Sequence, residues 1–547
     1  MKESSTIILI GLLLMTLSNA AAQQITVNVK NCGASSDSSD SQAAIHEAIE
    51  VCSRSGGGTV YLPPGSYTSG TISLSSHVRL FWEAGAILRA SRDRNAFKKH
   101  ALIYGENLEN ISIEGKGLID GQAEYEWQAE DASKKLADGV PKDFNPLIKR
   151  PYPIAPTPKM ILLINCRNIQ IKGISIRNSP SWTIHLWGCE NVRIHGITIE
   201  NSLKEGVWTD GINPDCCKDV HITDCTITAG DDAIAVKTTK RKGKVKPCEN
   251  ITVSNCRLTS ASCGIKVGTE TNADIRHVVV NNCIIRDSNR GIGIIVRDSA
   301  TVSDIIFSNL TIECSRHDYF WWGNADPIFF VSWKRQKVVN PGTIKNVLVT
   351  DIIAHAKGTS LIEGLSGVPL AGITLNNIKF VICSDSALDF SESSSPFTYE
   401  HFYHTKIFPI ANEGYQKYGV YGLKCNNIRG LNLKDIEIIW EAKVAEKWNS
   451  ALYCENISDL TLENFVGRQP HVDATAKSAV ILKNINGATI SGCCALHDTG
   501  TFIQFTGQFA KNVCLIGNNF LNARIPYTIE KPILKSEIKE MNNIFHD

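Results

Sequence analysis

Short runs of alternating hydrophobic and polar residues follow one another along most of the chain, and each run is broken by an Asn, Gly or Asp turn. The clearest copies are CRNIQIKGISIRNS from Cys166, CENVRIHGITIENS from Cys189 and CKDVHITDCTITAG from Cys217. A period of two indicates strands with one buried face. The hydrophobic anchors of successive copies are 23, 28, 31, 24 and 30 residues apart: Ile169, Val192, Val220, Ile251, Ile275 and Ile305.

A unit of this size cannot cover its own apolar face, so the units must stack on one another. The segments between the strands lack the 3.6-residue period that helical repeats show. The sequence therefore predicts an all-β fold, a right-handed single-stranded parallel β-helix. One short helix is predicted in SQAAIHEAIEVC, capped by Asp40 and Ser41, where it covers the open end of the first coil. Its apolar face consists of Ala44, Ile45, Ala48, Ile49 and Cys52.

The N-terminus reads as a secretory signal peptide over residues 1–22, followed by a single β-helix domain over 23–547. Lys2 precedes an apolar run from Ile7 to Leu17, and Ala20 to Ala22 form a small-residue cleavage site. The run is shorter than the roughly 20 residues that a membrane helix needs, and no later segment is longer. We therefore expect a secreted protein, extracellular or periplasmic in a bacterium.

Eighteen cysteines in an exported chain permit disulfides, but many of them recur at one phase of the repeat, as buried thiols would. Both interpretations stay open. No pair of CxxC motifs indicates structural zinc. Lys plus Arg (56) balances Asp plus Glu (55), so no overall charge favours nucleic acid or a membrane as a partner. No nucleotide-binding motif is present, and we expect a monomer without metal or cofactor.

Three carboxylates stand out in GVWTDGINPD and AGDDAIAVK: Asp210, Asp231 and Asp232. Asp210 and Asp231 are 21 residues apart, about one coil, and coils of a β-helix stack about 4.8 Å apart. Like-charge repulsion then raises at least one pKa, which suits an acid that works beside a carboxylate base. Alternatively, GDD is a plain turn and Asp210 a solvated acid. Asp231 and Asp232 can both reach one cleft only if the chain bends there, and Gly230 permits such a bend.

The chain resembles glycoside hydrolase family 28, the polygalacturonase family with a pectin lyase-like β-helix, over nearly all of its mature length. The resemblance is carried by TDGINPD (209–215), AGDDAIAVK (229–237), GKGLIDGQAEYEW (115–127), NSPSWTIHLWGCENV (178–192) and the segment that opens at Cys32. It implies inverting hydrolysis of galacturonan-type chains, with Asp231 as general acid. Asp210 and Asp232 then position and activate water. In inverting enzymes the two working carboxyl groups are roughly 6.5–9.5 Å apart.

Four positions depart from the family pattern: Trp208 replaces an Asn, Cys263 a supporting His, and Gly293 and Ile295 the Arg and Lys that grip a galacturonate carboxylate. The acid machinery is retained, while this recognition of substrate charge is not. Other cations are candidates for substrate binding, Lys237 first among them. The full set of predicted substrate-binding residues is Lys237, Trp208, Lys266, Arg290 and Arg297.

Several further features stay open. The basic insertion 238–248 is a cleft wall or a solvated loop. Tyr319, Trp321 and Trp322 offer sugar-stacking rings, whereas Trp182 is expected in the core and His185 and His221 are expected to pack or face solvent. The long segments 121–160 and 384–421 suggest a closed cleft and chain-end attack. Four glycosylation sequons fall on the repeat's own strand starts, at Asn110, Asn250, Asn309 and Asn456.

The sequence thus favours a secreted, inverting glycosidase that acts on pectin-type polysaccharide or oligosaccharide. One alternative is a non-catalytic carbohydrate-binding β-helix, in which the lost His, Arg and Lys mark decayed chemistry. A polysaccharide lyase on the same fold ranks third, because it needs calcium and a basic proton acceptor and the sequence shows no evident calcium cage.

Overall fold

A computed structural model describes residues 25–125, 127–129, 151–153, 157–317, 323–335, 340–384, 420–442, 444, 448–472 and 477–545. Strands dominate this part of the chain, with one α-helix. The predicted signal peptide and the rings of Tyr319, Trp321 and Trp322 lie outside the described residues, as does most of segments 121–160 and 384–421. No helix in the described ranges has the length and apolarity of a membrane span.

The helices are α1 (Gln42–Arg54) and the 3-10 turns Val29–Cys32, Arg94–Ala96, Ala123–Tyr125 and Lys535–Glu537. The strands of the first half are β1 (Ile25–Asn28), β2 (Asp37–Asp40), β3 (Gly58–Leu62), β4 (Gly65–Ser69), β5 (Ile72–Ser73), β6 (Val78–Trp82), β7 (Ala86–Ala90), β8 (Ala101–Glu106), β9 (Glu109–Gly115), β10 (Leu118–Asp120), β11 (Trp127–Ala129), β12 (Pro151–Pro153), β13 (Lys159–Ile164), β14 (Arg167–Lys172), β15 (Ser175–Arg177), β16 (Ile184–Trp187), β17 (Glu190–His195), β18 (Thr198–Glu200), β19 (Ile212–Asp215), β20 (Lys218–Thr223), β21 (Thr226–Ala229) and β22 (Ile234–Thr238).

The strands of the second half are β23 (Cys248–Ser254), β24 (Arg257–Ser260), β25 (Cys263–Thr271), β26 (Ile275–Ser288), β27 (Arg290–Val296), β28 (Val302–Cys314), β29 (Asp326–Ser332), β30 (Ile344–Ala356), β31 (Ser360–Glu363), β32 (Leu370–Ile382), β33 (Val420–Trp440), β34 (Trp448–Glu463), β35 (Val466–Gly467), β36 (Ser478–Ser491), β37 (Cys494–Ala495), β38 (Thr499–Ile516), β39 (Ala523–Ile529) and β40 (Ile538–Met541).

All strands except β11 and β12 form one parallel system, in which each strand pairs with its counterpart one coil later. The stacked strands form three ladders, one for each strand position within a coil. The third, which carries the candidate site, runs β8, β13, β16, β19, β22, β25, β27, β29 and β31. The predicted class, a right-handed single-stranded parallel β-helix, is confirmed.

One hydrophobic column fills the interior from Val29 to Ile538. The predicted anchors Ile169, Val192, Val220 and Ile251 stack in register. The next anchor was misplaced, because Val278 rather than Ile275 pairs with Ile251. The reason is that β26 begins at Ile275, three residues before its anchor, so Ile275 pairs with Cys248 instead. The true spacing there is more regular than the sequence suggested.

Left-handed Asn and Asp residues form the turn between two ladders, where their side chains bond from coil to coil. Asn168 donates from Nδ2 to Oδ1 of Asn110 over 2.9 Å, and Asn191 donates to Asn168 over 2.8 Å. Asn and Asp tolerate this backbone conformation better than most residues. All four sequons fall at such left-handed turns, which agrees with their interpretation as part of the repeat: Asn110, Asn250, Asn309 and Asn456.

The predicted N-terminal helix is confirmed as α1, with the expected five residues buried: Ala44, Ile45, Ala48, Ile49 and Cys52. The cap differs in detail. The Ser41 side chain makes no capping bond, while the Asp40 carboxylate accepts from the backbone N–H of Gln42 at 3.0 Å. All eighteen cysteines are free thiols, and fourteen of them are buried. The thiol interpretation therefore holds, since no pair is bridged.

Candidate active site

The three aspartates lie at the starts of adjacent strands of the third ladder. Ile212 of β19 pairs with Ile234 of β22, which places Asp210, two residues earlier, beside Asp232. The coil partner of Asp210 is therefore Asp232, 22 residues away, and Asp231 is the residue just before it. The backbone confirms this register, since Gly211 donates to the carbonyl of Asp232 at 2.9 Å.

Seven successive coils each place one residue in line with Asp210 and Asp232, and we call these seven residues the cleft row. Its members follow from the paired isoleucines and, at the C-terminal end, from direct pairing. In chain order, the cleft row is Lys159, Trp182, Asp210, Asp232, Cys263, Arg290 and Asp326. Neighbouring members are about 4.8 Å apart along the row. The two carboxylates of the row are thus flanked by Trp182 on one side and Cys263 on the other.

A bend at Gly230 brings Asp231 into the same cluster. The Gly230 N–H donates to the hydroxyl of Thr209 at 3.0 Å, and a Cβ at Gly230 would collide with the carbonyl oxygens of Gly206 and Ser202. Only glycine fits this close approach. This is the bend that the sequence analysis required if Asp231 and Asp232 were to face one cleft.

One oxygen from each of Asp210, Asp231 and Asp232 lies within 4.8 Å of the others, and all three side chains are buried. The sequence interpretation of GDD as a plain turn with a solvated Asp210 is therefore wrong. The geometry brings the acids together without itself specifying inversion.

Two of the three carboxylates contact a lysine. The Lys237 Nζ lies 2.8 Å from Oδ2 of Asp210, and the Lys266 ammonium contacts Asp232. The hydroxyl of Ser262 also donates to Asp232, at 3.0 Å. Within the described ranges, no cationic group lies within 4.0 Å of the Asp231 carboxylate. The three acids are therefore not equivalent.

Burial, reinforced by the charges of Asp210 and Asp232, raises the pKa of Asp231 to about 8. Burial raises the pKa of Asp210 as well, although Lys237 counteracts it. Burial disfavours the charged form of Lys237, but Asp210 outweighs this and its pKa is raised; Asp232 does the same for Lys266. At neutral pH this environment favours a protonated Asp231.

Three clustered carboxylates also have the spacing of a metal site. Here Asp210 and Asp232 already contact the ammonium groups of the buried Lys237 and the half-buried Lys266. A divalent cation among them would meet strong repulsion from both lysines. The donor set therefore suits two lysines better than a metal ion.

Beyond Asp232 the cleft row continues with Cys263 and the Arg290–Asp326 pair, and apolar residues lie beside it. Cys263 is buried, its thiol lies 3.1 Å from the carbonyl of Ile265, and burial raises its pKa, so it is a neutral group. Gly293 pairs with Lys266 and Phe329, and a Cβ there would lie 3.2 Å from the Cys263 sulfur. Ile295 belongs to an outward cluster with Phe329, Val331 and Leu361, on which Trp333 packs. An apolar wall thus stands where the family's cationic clamp is expected.

The predicted substrate-binding cations are all engaged by protein groups. Lys237 and Lys266 contact the candidate acids, as described above. Arg290 is paired with Asp326 and lies 3.5 Å from the centroid of the Phe329 ring. Arg297 donates to the carbonyl of Lys334 at 3.2 Å. Trp208 is 38% exposed, with a left-handed backbone next to Thr209, and keeps its place as a candidate sugar contact.

Sequence reasoning missed two residues near the acids, Trp182 and Glu270. Trp182, expected in the core, is half-buried in the cleft row, with the Lys237 ammonium 3.9 Å and the Lys159 ammonium 5.2 Å from its ring centroid. Glu270 lies 3.9 Å from Lys237. Counting back one coil from Asp210 reaches Trp182, so aligned repeats contained the signal.

His185, which we expected to pack in the interior or to face solvent, is buried next to the cleft row. Its Nε2 lies 3.0 Å from Oδ2 of Asp215, and its ring packs edge-on against Trp182. Burial lowers its pKa, despite Asp215. His221 is exposed and bonds to Thr252, as expected of a residue that faces solvent. His185 therefore braces the Trp182 side of the cleft.

The insertion 238–248 folds back over the outer face of the third ladder. Arg241 and Lys244 close a small hairpin by an antiparallel bridge. The Thr239 carbonyl accepts from the Trp187 indole N–H at 3.1 Å, and Val245 packs on the outward cluster around Trp187. This insertion is packed rather than a free loop, and it covers the outer face on the Lys159 side of the acids.

A family model described as "Glycosyl hydrolases family 28" matches residues 52–387, more than half of the chain. The chain belongs to this family. It is 32% identical over 36% of its length to a "Probable polygalacturonase" of Vitis vinifera, covering 40% of that protein. It is 26% identical over 43% of its length to an "Endo-polygalacturonase" of Pectobacterium carotovorum subsp. carotovorum, covering 60%. The chain thus spans 40 to 60% of the length of these curated relatives.

Among solved structures, a family 28 exopolygalacturonase of Yersinia enterocolitica aligns with a TM-score of 0.57 at 16% identity. The alignment covers 82% of this chain and 80% of that one. Identity at this level shows the fold alone, and the fold agrees with the β-helix described above.

Proposed function

We propose that this protein is a secreted glycosidase that hydrolyses glycosidic bonds of pectin-type polysaccharide or its oligosaccharides by inversion. Asp231 is the general acid, and Asp210 and Asp232 are the carboxylates that orient and activate water. Family membership and the named relatives, which are polygalacturonases, support this substrate class.

One observation carries the assignment of roles: Lys237 and Lys266 contact Asp210 and Asp232, and in the described structure Asp231 has no such partner. The lysines favour the ionised forms of two acids, while burial and their negative charges favour a proton on the third. An acid and a base of the same residue type are thus separated by environment.

In this mechanism a water molecule gives a proton to the carboxylates of Asp210 and Asp232, and its oxygen forms the new bond to the anomeric carbon. The glycosidic bond breaks, and Asp231 protonates the leaving oxygen. The proton gained by Asp210 and Asp232 and the proton lost by Asp231 then exchange with solvent. Inversion in this scheme rests on the family resemblance.

The test is product release from a panel of pectic polymers, charged homogalacturonan and neutral or branched rhamnogalacturonan types, by wild type and Asp231→Asn. Hydrolysis of one member that disappears in the variant supports the proposal and names the substrate. Binding without hydrolysis across the whole panel favours the alternative, a non-catalytic carbohydrate-binding protein. That alternative draws on Cys263, Gly293 and Ile295, which depart from the family pattern.

A further inference from the structure

Lys159 is the first member of the cleft row and the first residue of β13. It lies two coils from Asp210, a distance of about 10 Å along the row at the usual strand spacing. Its side chain is half-buried, with Nζ over the ring of Trp182. Lys159 therefore faces the same cleft as the acids, on the side opposite Gly293 and Ile295.

Lys159 differs in its charge partners from the other cations in and beside the cleft row. Lys237, Lys266 and Arg290 each have a carboxylate partner, namely Asp210, Asp232 and Asp326. Among the described residues, no carboxylate lies within 4.0 Å of the Lys159 ammonium; its contact is the Trp182 indole. Burial lowers its pKa, and Lys237 and Arg241 add positive charge nearby while Asp210 opposes them.

An ammonium group that has lost much of its water without gaining a counter-ion is unfavourable. Such a group is common where a ligand supplies the missing charge, because binding then relieves the cost. Trp182 fixes the position of two ammonium groups at once, those of Lys159 and Lys237, by cation–π contact. Among the described residues, Lys237 is the one of the two that has a carboxylate partner.

We propose that Lys159, placed by Trp182, binds the carboxylate of a uronic acid unit of the substrate on the N-terminal side of Asp210. Recognition of the substrate's charge has thus moved across the acids, from the side lined by Gly293 and Ile295 to the side of Lys159. The C-terminal side, where Phe329 and Ile295 form an apolar wall, then receives a neutral or esterified unit. This inference rests on the proposed function.

The test uses the Asp231→Asn variant, so that ligands stay intact. Calorimetry compares its affinity for a short oligogalacturonate and for the same oligomer with methyl-esterified carboxyls. We expect Lys159→Met in this background to weaken binding of the free acid about tenfold or more, as loss of a charge-assisted bond does, and to leave binding of the ester within about twofold. Lys172→Met, an exposed lysine on β14 away from the cleft, serves as the matched control.

Lys159→Arg keeps the charge and is expected to retain the preference for the free acid, which separates binding from folding. Equal affinities of the parent and Lys159→Met for the free acid overturn the inference. If wild type hydrolyses pectic chains and this result is found, only the inference fails. If wild type hydrolyses none of them and Asp231→Asn binds neither oligomer, the proposed function fails with it.

Discussion

Lys237 donates from Nζ to Oδ2 of Asp210 over 2.8 Å, and both side chains are almost completely buried. The backbone of Lys237 pairs with Asp215 in the previous coil, five residues beyond Asp210, so the contact is made by the Lys237 side chain reaching back to Asp210. A buried ion pair is costly to form and much more costly to break on one side. The pair therefore sets both the stability and the protonation state of the site.

We expect Lys237→Met to lower the free energy of unfolding by about 3–5 kcal/mol, because it leaves a buried carboxylate without its cation. Hydrolysis should also be lost, since Asp210 then becomes neutral. Chemical denaturation measures the first effect. The double variant Asp210→Asn/Lys237→Met should regain much of the stability but none of the activity. A single variant as stable as wild type would falsify this account of the pair.

Cys263 is expected to be a structural group. Its thiol is buried and neutral, so Cys263→Ser should keep kcat within about threefold, and thiol alkylation should not inactivate the folded enzyme. Cys263→His should lower stability by about 1–3 kcal/mol through overpacking, because an imidazole is larger than a thiol and the Cys263 side chain is buried. Cys514→Ser is a control at a half-buried site. Loss of activity in Cys263→Ser alone contradicts the structural role.

The sequence was sufficient for the β-helix because period-two patterning and stacked Asn turns are local signals that repeat. It also placed Asp210 one coil from the GDD pair. It did not show that Lys266 contacts Asp232 or that Trp182 lies in the cleft, because such contacts depend on exact register. One anchor was misplaced, Ile275 for Val278, although the next, Ile305, is in register. The closeness of the three acids likewise depends on the bend at Gly230, which sequence only permits.

Chelation should leave the reaction unchanged. Because Lys237 and Lys266 supply the positive charge at the acids, treatment of the enzyme with EDTA is expected to change kcat by less than about twofold. Added calcium should not restore activity to an Asp231→Asn variant. A lyase would instead need calcium and release an unsaturated product that absorbs ultraviolet light. Metal-dependent formation of such a product is the result that rules out the hydrolase.

The stereochemistry of the first product is open to direct observation. Proton NMR during early turnover should show the anomer opposite in configuration to the bond that is cleaved, if Asp210 and Asp232 activate water directly. The configuration of the first product distinguishes the two mechanisms, because a retaining enzyme attacks with a carboxylate and an inverting enzyme with water. An initial product of retained configuration would replace water activation with a covalent intermediate on one of the aspartates.

The claim at the centre of this account is that Asp231 carries the catalytic proton. Its pKa is raised to about 8, so the acid is protonated below that pH and loses its proton above it. The most direct test is the dependence of kcat/KM on pH, which reports the acid of the free enzyme. We predict that kcat/KM holds up to about pH 8 and then falls about tenfold per pH unit. A kcat/KM that stays level or rises well above pH 8, or an Asp231→Asn variant that retains wild-type activity, would contradict the claim.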